Sequence, residues 1–227
     1  MARNLCPVNG WLAAHRPALL PHDPDPDRIA ALRARTDLMD QLLLQIRDRA
    51  VADGESLEVW NLGAGFDARW ARMAGPLSPA VTRWVEVEEP RVIAAKRAAL
   101  LDSPFDEHWR RVQTVPLNAS AWTVEPSGMH RPVALIQGPL HRLPTNGVRV
   151  LLERIRVTAP GTTVLLDLTG VQGLARAQWS ARQLRRVGWS VCDDLELAFR
   201  DVLTGRGGDE LCAGMVPIRL LHLVNEG

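Results

Sequence analysis

Residues 58–73 read EVWNLGAGFDARWARM. A short apolar strand ends at Leu62, two glycines follow one residue apart, and a charged segment begins at once. Glycine lacks a Cβ, so paired glycines at the end of a strand let the backbone come very close to something or adopt angles other residues avoid. A GxG turn between a strand and a helix also leaves backbone N–H groups and a helix N-terminus facing outward, which suits a polar or anionic ligand group. The same turn can equally close a loop and bind nothing. Asp67 and Arg69 then read as an ion pair that fixes the loop, not as groups that react.

Upstream, the residues before Asp27 are irregular and proline-rich, and Asp27 is positioned as an N-cap. Ile29, Leu32, Thr36, Met39, Leu43, Ile46 and Ala50 then recur every three or four residues, which predicts a long amphipathic helix closing near Asp53-Gly54. Downstream, strands alternate with helices. LEVWNL, RWVEVEE, VQTVPL, PVALIQ, TTVLLDL, WSVCDDLEL and MVPIRLLHLV read as strands. DARWARMAG, PRVIAAKRAALL, GVRVLLERIRVT and ARAQWSARQLRRVG read as helices, the first stopping at Gly75 and the last at Gly188. Alternation of this kind predicts a parallel sheet covered on both faces. Between the last two strands lies only AFRDVLTGRGGDELCAG, with no crossover helix, so those two strands are expected to pair antiparallel. The predicted fold is therefore α/β: a Rossmann-like, doubly wound, mostly parallel seven-stranded sheet with an antiparallel last strand. Residues 1–54 form an N-terminal extension and helix, residues 55–227 the core of a single domain.

The composition is that of a water-soluble globular chain, with 46% apolar and 23% charged residues. A net charge of +1 gives no electrostatic case for nucleic acid or an anionic membrane surface. No apolar run approaches the ~18 residues needed to span a bilayer. The first 27 residues lack an uninterrupted apolar core, so no secretory leader is expected. Cys6, Cys192 and Cys212 show no CxxC spacing and fit a reducing cytoplasm. The histidines are scattered without ligand spacing, so no metal site is expected.

In open α/β sheets, ligands sit at the carboxyl ends of the strands, where chain order switches. An acid at the end of the second strand suits a ribose diol, and Glu86, Glu88 and Glu89 stand about twenty residues downstream of the glycines. Two ligands satisfy that description: a nicotinamide dinucleotide, since Gly63-x-Gly65-x-x-Ala68 meets the loose fingerprint, and S-adenosylmethionine, which has a ribose and a carboxylate tail but no phosphate.

The wording around the glycines narrows the choice. LGAGFDARWARM followed by WVEVEEPRVIAAKRAALL resembles the leucine carboxyl methyltransferase family, whose pattern is a strand, G-[AC]-G-x-D-[TA]-R, a strand ending E-V-D-x-P, and a helix carrying a lysine. The resemblance covers roughly residues 28–170 and implies a class I methyltransferase using S-adenosyl-L-methionine. It implies that Gly63, Ala64 and Gly65 line the cofactor, that Glu88 takes the ribose, and that Arg35, in LRARTDLMD, meets the cofactor carboxylate. Three places depart from the family. PLNAS carries Pro116 and Ala119 where acids are usual, leaving Leu117 and Asn118 to frame the adenine through backbone and amide groups. QGPLHRL carries Gln137 for a glutamate, still on the cofactor side, and Arg142 for a tyrosine. A long insertion over the site is missing.

Methyl transfer needs acceptor and methyl aligned for in-line displacement. A hydroxyl acceptor needs a general base, for which His141 is the candidate. A carboxylate acceptor needs a clamp instead, for which Arg142 is the candidate. The expected acceptor is an oxygen of a small metabolite or peptide terminus in specialised biosynthesis. The Trp11 segment and residues 199–214 are the available covers of the pocket. The rival readings are a dinucleotide-dependent oxidoreductase and a methyltransferase-derived binding protein that no longer catalyses.

Overall fold

The computed structural model describes residues 26–106, 111–116, 124–137, 147–168, 180–197 and 218–225. A long helix α1 (Pro26–Asp53) leads into strand β1 (Leu57–Leu62), helix α2 (Arg69–Leu77), β2 (Val81–Glu88), α3 (Pro90–Leu100), β3 (Gln113–Pro116) and β4 (Arg131–Ile136). Helix α4 (Gly147–Thr158), β5 (Thr163–Asp167), α5 (Ala181–Arg186), β6 (Trp189–Leu197) and β7 (Ile218–Asn225) complete the order. The seven strands form one sheet in the order β3-β2-β1-β4-β5-β7-β6. The pairs among β1 to β5 are parallel, while β7 runs antiparallel to both β5 and β6. The sheet and the antiparallel close are those expected from the sequence.

Period-2 alternation divides the core between the two faces. Leu57 and Val59 of β1, Val133 and Leu135 of β4, and Leu165 of β5 pack against Met39, Leu43, Ile46 and Ala50 of α1 and Met73 and Leu77 of α2. Trp60, Leu62, Val85, Val87, Ala134, Ile136, Val164 and Leu166 point the other way, onto Leu151, Leu152 and Ile155 of α4 and Leu184 of α5. Trp189 is 1% exposed in this second layer, so its role is packing.

Helices α1 and α2 differ from expectation at their ends. Helix α1 begins at Pro26, which places Asp27 in the first turn instead of at the cap. Proline is pre-organised for that turn, where an acid also complements the helix dipole. Helix α2 starts at Arg69 and runs through Gly75 and Pro76 to Leu77. The buried stripe Trp70, Met73 and Leu77 carries it past the glycine, and Ser78 closes it by donating its amide to Ala74 and its hydroxyl to Gly75. Its N-cap position is Ala68, and the preceding Asp67 accepts the Arg69 amide on Oδ1 at 3.0 Å. Helix α5 is capped by Ser180, and the expected earlier start at residue 175 lies outside the described residues.

Gly188 ends α5 with φ +82°, as its sequence position predicts. A Cβ there would lie 3.1 Å from Arg156 Cδ. Gly188→Ala therefore combines left-handed strain with crowding, and should lower stability by about 1–2 kcal/mol in urea titrations. An unchanged midpoint would mean that this turn is not held as described.

Candidate functional site

The register of the sheet places four residues in one row. Leu62 pairs with Val87 and with Ile136, and Ile136 pairs with Leu166. The next residue on each strand is Gly63, Glu88, Gln137 and Asp167. Alternation turns all four toward the face covered by α1, α2 and α3. The sheet thus presents a row of polar residues and a glycine at its carboxyl edge, astride the β1/β4 switch point where α/β ligands bind.

The glycine loop is tied down in a way the sequence did not suggest. Gly63 and Gly65 have φ of +71° and +50°. The amides of Gly63 and Ala64 donate to the Val87 carbonyl, at 2.8 and 3.3 Å. The Gly65 amide donates to Glu88 Oε2 at 2.7 Å, and Glu88 Oε1 accepts the Glu89 amide at 2.8 Å. The expected outward-facing N–H groups are therefore turned onto β2, because a buried amide without a partner is costly. Among the described residues, a Cβ on Gly65 would meet only Glu88 Oε2, at 4.0 Å. Phe66, between Gly65 and Asp67, is exposed.

Beside the loop, the Arg69 guanidinium is fully buried. Nε donates to Asp40 Oδ1 at 2.6 Å, Nη1 to Asp67 Oδ2 at 2.5 Å, and Nη2 to Gln137 Oε1 at 2.5 Å. Arg72 donates to the second oxygen of Asp40, its Nε at 3.0 Å and its Nη2 closer. Asn61 donates to Asp67 Oδ2 at 3.0 Å. Two arginines and two aspartates balance in charge, as buried ions require. The expected Asp67–Arg69 pair is present, as the core of a larger network. Gln137 is spent within it, since its amide nitrogen donates to Thr36 Oγ1 at 3.2 Å.

Arg35 sits on α1 over the far end of the row, its Nη1 3.1 Å from Asp167 Oδ2. Its Nε is buried and has no hydrogen-bond partner among the described residues. Behind the loop, Lys96 Nζ donates to Glu86 Oε2 at 2.6 Å and to the Asp67 carbonyl at 2.5 Å. Burial pushes the Glu86 carboxyl up to about 7, against the pull of the Lys96 ammonium.

The structure thus gathers Arg35, Gly63, Ala64, Gly65, Glu88 and Gln137 at one sheet edge. Leu117, Asn118, His141 and Arg142 lie outside the described residues, as do the Trp11 segment and residues 199–214. Asp40 and Asp167 were given no role by the sequence, and Glu86, one of three acids offered for a ribose, is paired with Lys96 instead. Asp167 had a readable signal, as a lone acid closing the apolar strand TVLLD. Asp40 had a weaker one, one turn beyond Thr36 on the helix.

Two outcomes check this arrangement. Arg69→Met leaves Asp40 and Asp67 buried with less compensation and should cost about 3–5 kcal/mol in urea unfolding, as breaking a buried pair does. A loss below 1 kcal/mol would mean that the network is solvated. For Glu86, the folded chain holds a proton between pH 4.5 and about 7 that the unfolded chain releases. Burial of Glu86 therefore disfavours folding increasingly as pH rises through that window. The melting temperature of Glu86→Gln should gain on the parent from pH 4.5 to about 7 and hold its gain above; a gap independent of pH contradicts the assigned burial.

Comparison with known proteins identifies the family. Residues 15–136, over half of the chain, match the leucine carboxyl methyltransferase family. A Mycobacterium marinum protein assigned by name to the S-adenosyl-L-methionine-dependent methyltransferases is 30% identical over 199 residues, 70% of this chain and 60% of that protein. The chain thus spans about 60% of that relative's length. In fold, it resembles the magnesium protoporphyrin IX methyltransferase ChlM of Synechocystis PCC 6803, solved with bound SAM, with a TM-score of 0.55 and 13% identity, covering 95% of this chain and 91% of that one. The mitomycin 7-O-methyltransferase MmcR is similar with a TM-score of 0.50 and 17% identity, over 81% of this chain and 54% of that one. The resemblance read from the glycine loop and the second strand holds, and the chain belongs to the leucine carboxyl methyltransferase family.

Proposed function

We propose that this chain is an S-adenosylmethionine-dependent O-methyltransferase acting on a carboxylate of a small molecule or peptide terminus. The observation that carries the reading is the coincidence of family and edge: the family's glycines, its strand-end acid and its arginine stand at one carboxyl edge of the sheet. The residues present fit the cofactor. Among the described residues, Gly65 offers an open Cα surface, each Glu88 oxygen takes one backbone amide and has a further lone pair for a hydroxyl donor, and Arg35 retains a buried Nε with no partner.

When bound, the cofactor supplies an electrophilic methyl on a sulfonium. The chain's own residues position. The glycines let the methionine portion lie against the backbone, and Glu88 accepts from the ribose hydroxyls. Arg35, steadied by Asp167, faces the cofactor carboxylate with charge-assisted donors. A carboxylate acceptor is already nucleophilic, so this chemistry requires alignment and not a base. The family's namesake reaction, and an arginine at position 142 where the family has tyrosine, favour the carboxylate over a hydroxyl. On this reading Arg142 is the acceptor's clamp, and His141 would serve as base only for a hydroxyl.

Binding of S-adenosylhomocysteine, read by calorimetry, tests the cofactor half. Glu88→Ala removes a charged acceptor and a tie of the loop, and should weaken binding about ten- to a hundredfold. Gly65→Val should abolish it, because a branched side chain at φ +50° is strained and fills the open surface. Equal affinity in both variants would overturn the site. For the acceptor half, a carboxyl methyl ester formed from labelled methyl releases methanol in mild alkali; an alkali-stable product would assign an ether oxygen or a nitrogen instead.

A further inference from the structure

We propose that Lys96 is a positioning residue for the glycine loop: salt-bridged to Glu86 and donating to the Asp67 carbonyl, it straps the loop into the conformation that receives the cofactor. The inference rests on the cofactor reading above for its ligand but on geometry for its strap. Lys96 Nζ lies 2.6 Å from Glu86 Oε2 and 2.5 Å from the Asp67 oxygen, and both charged side chains are nearly inaccessible. A lysine is seldom buried so completely unless it is paired. Here it joins three elements: α3, which carries it, β2, which carries Glu86, and the loop that ends at Asp67.

Among the described residues, the loop's own backbone ties run from the Gly63 and Ala64 amides to the Val87 carbonyl and from the Asp67 amide to the Ala64 carbonyl. Glu88 holds the Gly65 amide, and Asn61 and Arg69 hold the Asp67 carboxylate. Lys96 is the described side chain that fastens the loop's final carbonyl. Two glycines within five residues give the chain many alternative paths once that tie is released. A site that is competent for only part of the time binds more weakly in proportion.

The strap depends on charge. The groups about Glu86 are Lys96 from α3, Asp67 from the loop, and Glu88 two residues along β2 on the same face. Arg69 lies behind Asp67, and the register neighbours Asn61 on β1 and Thr114 on β3 are uncharged. With Glu86 ionised, Lys96 has a counter-ion at contact distance. With Glu86 protonated, the ammonium is buried beside a neutral acid and holds the loop less firmly. Because the Glu86 carboxyl lies near 7, the loop tightens as pH rises through neutrality.

Two measurements on the whole chain test this. In amide exchange without ligand, Lys96→Met should speed exchange across residues 63–68 about tenfold while β4 and β5 keep their protection. In calorimetry, it should weaken S-adenosylhomocysteine about tenfold. The parent's affinity should rise severalfold from pH 6 to pH 8, and Glu86→Gln, which keeps a neutral acceptor for Lys96, should flatten that rise. Unchanged exchange and affinity in Lys96→Met, or a slope that survives in Glu86→Gln, overturns the proposal. If the parent binds no S-adenosylhomocysteine, the cofactor reading falls, and the exchange result alone then decides the strap: faster exchange supports it and unchanged exchange refutes it. Should Lys96→Met fail to fold, Glu86→Gln decides: preserved loop exchange at pH 6 with faster exchange than the parent at pH 8 supports the strap, and identity with the parent at both refutes it.

Discussion

The buried guanidinium of Arg69 is the interaction on which the carboxyl edge depends. It reaches α1 through Asp40, the glycine loop through Asp67, and β4 through Gln137. A cation without solvent is tolerated only where its donors are met, and this one sets three elements at hydrogen-bond distance from a single planar group. Its removal would leave Asp40 and Asp67 without the cation they share. The long helix is thereby tied to this edge: residues 35, 36 and 40 on α1 touch Asp167, Gln137 and Arg69 in turn.

The second constraint is the pleat. Because side chains alternate, one polar row can close the sheet without disturbing the core beneath it. Gly63, Glu88, Gln137 and Asp167 occupy that row, and their inward neighbours Leu62, Val87, Ile136 and Leu166 are fully buried. The loop's amides turn onto β2, and among the described residues the glycines, Glu88 and Arg35 stand together at this edge. A pre-tied loop loses little freedom when a ligand arrives, and that preorganisation favours binding.

Much of this was readable in the chain. The alternation of strands and helices, the lack of a crossover helix before β7, and the glycine stop at Gly188 each follow from local chemistry, and each stands in the fold. The end of α2 was not readable, because a buried stripe of Trp70, Met73 and Leu77 outweighed a glycine and a proline. Partners across the fold were also hidden. Nothing local says that Asp40 meets Arg69 across 29 positions, or that Glu86 faces Lys96 instead of a ribose. Glu86 and Glu88 share one strand face, and which carboxylate serves the loop and which serves a lysine is decided by α3, not by the strand.

The central claim is that this sheet edge holds S-adenosylmethionine. Equilibrium dialysis of the intact chain against labelled S-adenosylmethionine, with S-adenosylhomocysteine and NAD as competitors, tests it most directly. The account predicts one saturable site per chain, emptied by S-adenosylhomocysteine and indifferent to NAD. No retained label, or displacement by NAD, would contradict it.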